Sequence, residues 1–576
     1  MTPNHPFFSI ARLVLETTTP LSIATGRTDG LSDNLLVRDA NGLPAIPGSS
    51  LAGVLRHTYQ SLYDPEKADD NAKNTQELFG TDKKDKTTDK SDKTNNQETG
   101  YPSFVQVSWG CLHDSHDKPI EDLLDTDDKR WADEIVTDAL QTTPIRRDHV
   151  KLNHRGVSDA QKQGKFDRVS LTTGHRFSVE LSLWSDKSND SRWGKLLHLL
   201  ERPEFRLGGG TRRGLGKLKV VRCYTGQFNL KEQLTQFSEL TQYLSDTTHL
   251  TRLELETLSS QITLNLTPLE GYRFGGGLTQ LVEDSQAQLL IVTEPCVKWQ
   301  RFFTQKGDKW KGKLTQKRVV IPASSVKGAL SHRVAYHYNR LTQVFAEEKL
   351  NDRDTAYQDV KRCVGENNLA VKALFGYVQE KPDKNDKDIA QIGCLIFDDV
   401  YLTGTINYLQ KAEKAGVTEY IHNGVDRFTG GVREGVLFSE EVIVDEQSFQ
   451  LNITVIPPST QNDVWKALTE PEKTHIWAAL KWALTDLAEG RLALGAGGGR
   501  GHGYFEDEKW QAGKNCQLPP QPFPKETIEI RDNVNTQSSI QPERKQVITD
   551  RPPDKKKPPK SEPPKKSRKQ KKSKKG

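Results

Sequence analysis

Three kinds of residue cluster in this chain could act on a phosphodiester. The first is acidic. Segment 25–44 (TGRTDGLSDNLLVRDANGLP) is polar and carries Asp29, Asp33 and Asp39. A carboxylate held beside a phosphate can bind Mg2+ or take the proton of a ribose 2′-OH. Loop aspartates also do nothing more than close Asx-turns. The second cluster is a helix start. Ser49 and Ser50 follow Pro47-Gly48 and precede Leu51, Val54, Leu55, Tyr59 and Leu62, which share one helical face, with Arg56 a turn or two along. Either serine could cap that helix, and the free N–H groups of such a turn also suit a phosphate. The pattern recurs at Ser324 and Ser325, followed by Lys327 and Arg333. The third cluster is glycine-rich: Gly208–Gly216, with Gly209, Gly210, Arg212 and Arg213, and Gly495–Gly503, with Gly498, Gly499 and Arg500. Glycines let a backbone pass close to a partner and present successive N–H groups. No Gly-Lys-Ser/Thr ends either run and each leads into a strand, so neither is a nucleotide-binding loop. A flexible loop and an RNA-backbone contact are the readings that remain.

Other chemistries find no support. There is no GxSxG, HExxH or CxxC, and the six cysteines are scattered, so reduced packed thiols are expected and Cys111 with His113 lacks further metal ligands. His149, His154, His175 and His422 lie near the polar loops; each could be a general base, or a surface or stacking residue.

The elements that position these clusters occur twice, in the same order. Strand-like FSIARLVLETTTP (8–20) matches QITLNLTPLE (261–270), where Ile262, Leu264 and Leu266 alternate with polar residues. IPGSSLAGVLRHTY (46–59) matches IPASSVKGALSHRVAY (321–336), and each leads to LFG, at 78–80 and 374–376. Strands FVQVSWGCL (104–112) and GCLIFDDVYL (393–402) follow, then a polar loop at 154–169 or 426–442. Phe177, Val179, Leu181 and Leu183 then match Phe449, Leu451, Ile453 and Val455, ahead of a helix and the glycine-rich run. The fold class is therefore α+β: two tandem ferredoxin-like, RNA-recognition-like domains, each a sheet backed by helices with one face left free. The expected division is residues 1–230 and 259–512, joined by a linker helix at 231–258 and followed by a disordered Lys/Pro-rich tail at 513–576. Residues 81–100 contain no large apolar side chain and read as a solvated insertion.

Charge narrows the partners. The net charge is +5, but residues 551–576 hold thirteen Lys or Arg and two acids, which is +11, leaving 5 − 11 = −6 for the rest. A nucleic-acid site on the body must be a local groove, while the tail either draws in phosphates or simply solubilises the chain. No apolar run is long enough to span a bilayer and no signal peptide is recognisable, so a cytoplasmic protein without membrane contact is expected.

Two ferredoxin-like units, each with an Ile-Pro-x-Ser-Ser turn and a glycine-rich loop before its last strand, resemble the RAMP superfamily over residues 5–510. GLSDNLLVRDANGLPAIPGSSLAGVLRH (30–57) is similar to the backbone subunits of type III CRISPR effectors, and the tandem to the double-domain subunits of type III-D. The resemblance implies a subunit that binds guide RNA on its palm sheet and Ser-Ser helix, joins other effector subunits, and inserts thumb hairpins (147–169 and 420–441 here) between guide and target RNA. It implies Mg2+- or other divalent-metal-dependent cleavage of target RNA by 2′-OH attack, with Asp33 as catalytic aspartate and metal ligand. Ser49, Ser50, Arg56, Gly209, Gly210, Arg212, Arg213, Ser324, Ser325, Lys327, Arg333, Gly498, Gly499 and Arg500 are the expected RNA contacts. Aligning NLLVRD (34–39) with QLLIVT (288–293) puts Ala287 opposite Asp33, so the second domain is expected to bind without cleaving, with Asp284 as the alternative carboxylate. Its insertion VKWQRFFTQKGDKWKG (297–312) could stack on bases or pack on a neighbouring subunit. Two other readings remain open: a non-catalytic guide-RNA scaffold, and a metal-independent guide-processing ribonuclease.

Overall fold

Alternating apolar residues at the head of each half form the central strand of a sheet. In the first half the chain runs β1 (Phe7–Thr17), α1 (Gly48–Tyr63), α2 (Asn71–Phe79), β2 (Val105–Val107), β3 (Cys111–Leu112), α3 (Glu134–Leu140), β4 (Ile145–Val150), β5 (Lys165–Ser170), β6 (Arg176–Ser185), α4 (Ser191–Leu199) and β7 (Leu218–Asn229). The sheet is antiparallel in the order β2-β6-β1-β7, with β3 also on β6. Ala11, Leu13 and Leu15 share a face with Phe177, Val179, Leu181 and Leu183, and all are buried in one core with Leu51, Leu55 and Tyr59 of α1 and Trp193 and Leu196 of α4. Each such leucine contributes about 1.5–3 kcal/mol by leaving water.

The second half adds α5 (Leu234–Glu239) and β8 (Thr251–Leu253), then β9 (Ile262–Pro268), β10 (Thr293–Glu294), β11 (Val297–Thr304), β12 (Gly307–Leu314), β13 (Arg318–Ile321), α6 (Ala323–Leu341) and α7 (Leu369–Phe375). It continues with β14 (Gly376–Gln379), β15 (Ile389–Ile392), β16 (Leu395–Phe397), β17 (Val400–Tyr401), β18 (Val417–His422), β19 (Phe438–Ile443), β20 (Phe449–Val455), α8 (Asp463–Ala467), α9 (Glu470–Ala488) and β21 (Phe505–Glu506). Its sheet has the order β16-β20-β9-β21, the same crossover pattern over a separate core. The glycine-rich runs also match. Short 3₁₀ turns at Thr211–Arg213 and Gly498–Arg500 are flanked by positive φ at Gly208, Gly210, Gly214 and Gly216, and at Gly495, Gly497, Gly501 and Gly503. This computed structural model describes residues 5–28, 33–63, 71–80, 102–153, 156–158, 164–256, 262–282, 285–304, 307–315, 317–345, 360, 363–379, 389–402, 416–456 and 463–511. The 81–100 insertion, the tail, Asp29, His154, Asp284 and Cys516 lie outside the described residues.

Within the 231–258 linker the helix is short, Leu234–Glu239, and Thr251–Leu253 extends the first sheet beside β7. Two expectations are corrected here. The outer face of that sheet is not free. Phe237, Leu240 and Leu250 pack on Phe8, Ile10 and Phe228, and buried Arg12 pairs with Glu180 while donating to the Thr241 and Asp246 carbonyls. The 297–312 insertion covers the other end of the same face as the hairpin β11–β12. Trp299 and Trp310 lie 4.2 and 4.6 Å from the buried Arg176 guanidinium, and Trp299 Nε1 donates to the Gly174 carbonyl at 2.7 Å. These two tryptophans are therefore spent on the chain's own first half rather than on bases or a neighbour. The strand register puts Lys298, Phe302, Lys309, Lys311 and Lys313 on the opposite, exposed side.

The halves also lock together through the first glycine-rich loop. Gly214 forms a bridge to Asp398, and Arg206 and Lys217 both pair with the Asp398 carboxylate. A methyl group on Gly214 would lie 2.5 Å from Ala323 Cβ and from Asp399 Oδ1, so only glycine fits this contact. Arg147 of β4 reaches across: Nε and Nη2 donate to Glu294 at 2.5 and 2.7 Å, and Nη1 to Asp399 at 2.7 Å.

Candidate nucleic-acid interface

The β4–β5 hairpin rises from residues that the acidic loop clamps. The Asp33 N–H donates to Asp167 Oδ1 at 2.8 Å, and the Asp167 N–H donates to Asp33 Oδ2 at 2.9 Å. Asn34 extends the clamp, accepting from the Val169 N–H at 2.9 Å and donating to the Val169 carbonyl at 3.1 Å. Two carboxylates thus stand side by side at the thumb base, Asp33 exposed and Asp167 paired with Arg146 at 2.8 Å. Hard oxygen donors of this kind suit Mg2+, and two leave most of the coordination shell to water and phosphate. Among the described residues no group of three His, Cys, Asp or Glu could hold a metal alone. Asp39 is not part of this site: it accepts from the Asn41 and Leu43 N–H groups and closes a turn.

Four cations converge on the face of the thumb base that strand alternation sets opposite Asp167: Arg168 on β5, Arg212 and Arg213 in the glycine-rich loop, and Lys327 on α6 of the other half. None forms an ion pair among the described residues; the Lys327 ammonium donates only to the Phe375 carbonyl at 3.0 Å. Burial, then Arg213 and Arg212, push Lys327 down to about 8. Burial and then Arg206 push Arg212 down to about 10. Burial and then Arg213 lower Arg168. Glu366 near Lys327 and Glu204 near Arg212 offset this less than burial and the neighbouring cations lower it, a setting an added anion relieves. Phe166 completes the surface, with the His149 ring stacked on it at 5.0 Å and 20° and the Arg213 guanidinium 5.4 Å from its centre. Burial first, then Arg147, push His149 down to about 4, so it is neutral at pH 7.

The structure uses several expected contacts differently. Pro322, not a serine, occupies the N-cap of α6 without a side-chain cap bond, and Ser324 and Ser325 sit inside the first turn. In α1, Ser49 and Ser50 likewise fall within the first turn after Pro47. The proline fixes the extended backbone that the cap needs, which leaves the hydroxyls one step too late to cap. The Ala323 N–H is taken by Asp399 at 2.7 Å, so protein already fills this donor of the second helix start. Arg333 is committed to Asp486, which also holds His337 and Arg491 between α6 and α9. Arg56 is half-buried on α1. Gly209 lies against Arg168, Gly210 against Leu215 and Gly498 against Ala493, whereas Gly499 faces open space. Asp167, Arg168 and Phe166 escaped the sequence reading, and His149, one of the four loop histidines it named, takes the stacking role; the signal for Phe166 was the recurrence of His and Phe at the thumb base of both halves.

Three of the described histidines are committed elsewhere. His175 is fully buried, His422 is bonded to Glu440 at 2.8 Å, and His113 uses both ring nitrogens on Asp117 and Ser178. That also removes His113 as a ligand beside Cys111. Cys111, Cys223, Cys296, Cys363 and Cys394 are free thiols, and burial pushes Cys223 and Cys394 up to about 12.

Backbone pairing corrects the alignment of the two loops. Leu21 bridges Leu171 as Tyr272 bridges Ile443, and Ala24 bridges Leu36 as Gly275 bridges Ile291. Gln288, not Ala287, therefore occupies the place of Asp33, and its N–H donates to the Ser439 carbonyl. The second half has no carboxylate at this position.

The thumbs expected at 147–169 and 420–441 are both two-stranded hairpins, β4–β5 and β18–β19. The second carries a row of exposed apolar residues, Ile421, Val425, Phe428, Val432 and Leu437, with Phe428 99% exposed. The first exposes Val150, Leu152 and Val157. Apolar residues held out into solvent on a hairpin are suited to insertion between stacked bases.

The family model of the RAMP superfamily matches residues 14–219 and 304–506, one match in each half. The chain belongs to the RAMP superfamily, as a tandem of two RAMP domains. The class is that of RNA-binding subunits associated with CRISPR complexes, and it includes some nucleases. No curated protein matches the chain. Among the described residues no helix is long and apolar enough to cross a membrane.

Proposed function

We propose that this chain is a cytoplasmic backbone subunit of a type III CRISPR effector, of the double-domain kind found in type III-D, that binds guide RNA and cleaves target RNA from its first domain. The domains span 1–230 and 259–512. The observation that carries the reading is the reciprocal Asp33–Asp167 clamp on the strand whose other face carries Phe166 and Arg168 beside Arg213, neither arginine ion-paired among the described residues. Those arginines and Lys327 take the RNA backbone, and the thumbs part guide from target. Asp33 orients the 2′-OH and receives its proton. The freed oxygen attacks the adjacent phosphorus and the 5′-oxygen of the next nucleotide leaves, taking a proton from water to become a 5′-hydroxyl and giving a 2′,3′-cyclic phosphate. Asp33 and Asp167 would hold a divalent cation, which would supply charge neutralisation for the phosphate. The second domain, with Gln288 in place of Asp33, binds without cutting.

The test is chelation. In the effector assembled with guide RNA, EDTA should abolish the cut made by this subunit and leave target RNA bound. Cutting that persists in EDTA would refute the metal role and favour the metal-independent ribonuclease. Tight target binding with no cut under any condition would favour the scaffold, the reading to which a site of only two carboxylates also lends itself.

A further inference from the structure

The thumb base is built twice from the same parts, with one charge reversed. The registers of β4–β5 and β18–β19 pair His149 with Phe166 and His422 with Phe438, and the Leu21–Leu171 and Tyr272–Ile443 bridges make these positions equivalent. Both histidines lie 5.0 Å from their phenylalanine, and in each half the arginine of the 3₁₀ turn covers that ring, Arg213 at 5.4 Å and Arg500 at 5.8 Å. The same bridges place Arg168 and Glu440 at one position, and Ser22 and Arg273 at another. In the first half no ion pair among the described residues offsets Arg168 or Arg213. In the second half the buried Glu440 carboxylate binds Arg500 at 2.6 Å, Arg273 at 2.8 Å and His422 at 2.8 Å. Bonds from two guanidiniums satisfy the carboxylate, which offsets one of their two positive charges.

We propose that Glu440 occupies, as a carboxylate of the chain itself, the place where the first half receives an RNA phosphate. The first platform (His149, Phe166, Arg168, Arg213) binds one phosphodiester of single-stranded RNA, and the second is closed to phosphate by Glu440. This deepens the RNA-binding reading and rests on it. The two halves therefore do not read RNA equivalently: the backbone is gripped at the first platform, in the half that carries Asp33, and the second platform keeps one positive charge fewer and its guanidiniums engaged.

Three variants test the assignment. Arg168→Glu should weaken binding of a mixed-sequence single-stranded RNA and flatten the dependence of log Kobs on log[salt] by about 0.7 for the lost contact. Glu440→Gln keeps the shape of the side chain and frees two guanidiniums, and should strengthen binding and steepen the slope by about 0.7. The double variant R273S/E440R recreates the composition of the first platform and should do the same, so the gain stays measurable if E440Q alone melts early. Circular dichroism melting confirms that each variant is folded. If the wild-type chain binds no RNA, the RNA-binding reading falls and this inference with it. If the wild type binds but R168E leaves affinity and slope unchanged, or a folded E440Q or R273S/E440R fails to gain, the inference is overturned while the RNA-binding reading stands.

Discussion

Replacing Arg147 by alanine removes the one cation that two buried carboxylates share. Arg147 makes three charge-assisted hydrogen bonds, two to Glu294 and one to Asp399, and Tyr401 Oη donates to Glu294 at 2.8 Å. Breaking a buried ion pair from one side costs about 3–5 kcal/mol because the other charge stays buried and unpaired. Here two are stranded, so the upper figure applies, about 5 kcal/mol. At about 2–4 °C per kcal/mol, the transition that breaks this contact should fall by about 10–20 °C. The pH dependence gives a second check. Burial already pushes Asp399 up to about 6 with its arginine present, and without it the carboxyl rises further. A carboxyl raised in the folded state gives folded protein more bound protons, so stability is gained as pH falls through the folded value and lost as pH rises. R147A should therefore lose more stability at pH 8 than at pH 5, read by thermal melting at both. The triple variant R147M/E294Q/D399N removes all three charges and should melt near the wild type. An R147A loss below about 1 kcal/mol, or one equal at the two pH values, would refute the reasoning and place the cost in packing of the arginine stem.

Three other perturbations are specific. Lys327 is depressed from the ordinary 10.5 to about 8, so the folded state binds fewer protons between those values and stability should rise with pH across that window; K327M should abolish the rise and flatten the salt slope of RNA binding by about 0.7. Trp299→Ala removes the ring on Arg176 and its bond to Gly174, and should cost about 2–4 kcal/mol and expose the 297–314 hairpin to protease; an unchanged digestion pattern would contradict the docking. Phe428→Ala should leave the melting temperature within about 1 °C, because a fully exposed ring contributes little to folding, yet change the spacing of target cuts or the target footprint; no change in either would remove the second thumb as a wedge.

The tandem architecture was legible because it is written in local patterns. Alternation in β1, β9, β6 and β20 fixes which faces are buried, and the order of matching segments admits a single crossover pattern. What covers each face was not legible. Leu234, Phe237, Leu240 and Leu244 have roughly helical spacing, but Phe8 and Ile10, on which Phe237 and Leu240 pack, are over two hundred residues away, and no periodicity reports that contact. The hairpin tryptophans are equally silent about Arg176. Asp33 was legible as a candidate and Asp167 was not, because the clamp joins a loop to a strand distant in sequence. The alignment slipped by one residue, from Gln288 to Ala287, since LeuLeu in both loops offers a false register that only the backbone bridges resolve. Arg333 matched a motif and belongs to a structural cluster on Asp486, which shows that spacing along α6 does not say which face meets α9.

The measurement that bears most directly on the account is target-RNA cleavage by the assembled effector carrying wild-type or Asp33→Ala protein, in Mg2+, with target binding followed in parallel. The account predicts loss of one specific cut, with guide and target still bound and the remaining cuts unchanged. An unchanged cut pattern in a variant that binds as the wild type does would contradict it and leave the chain a guide-RNA scaffold.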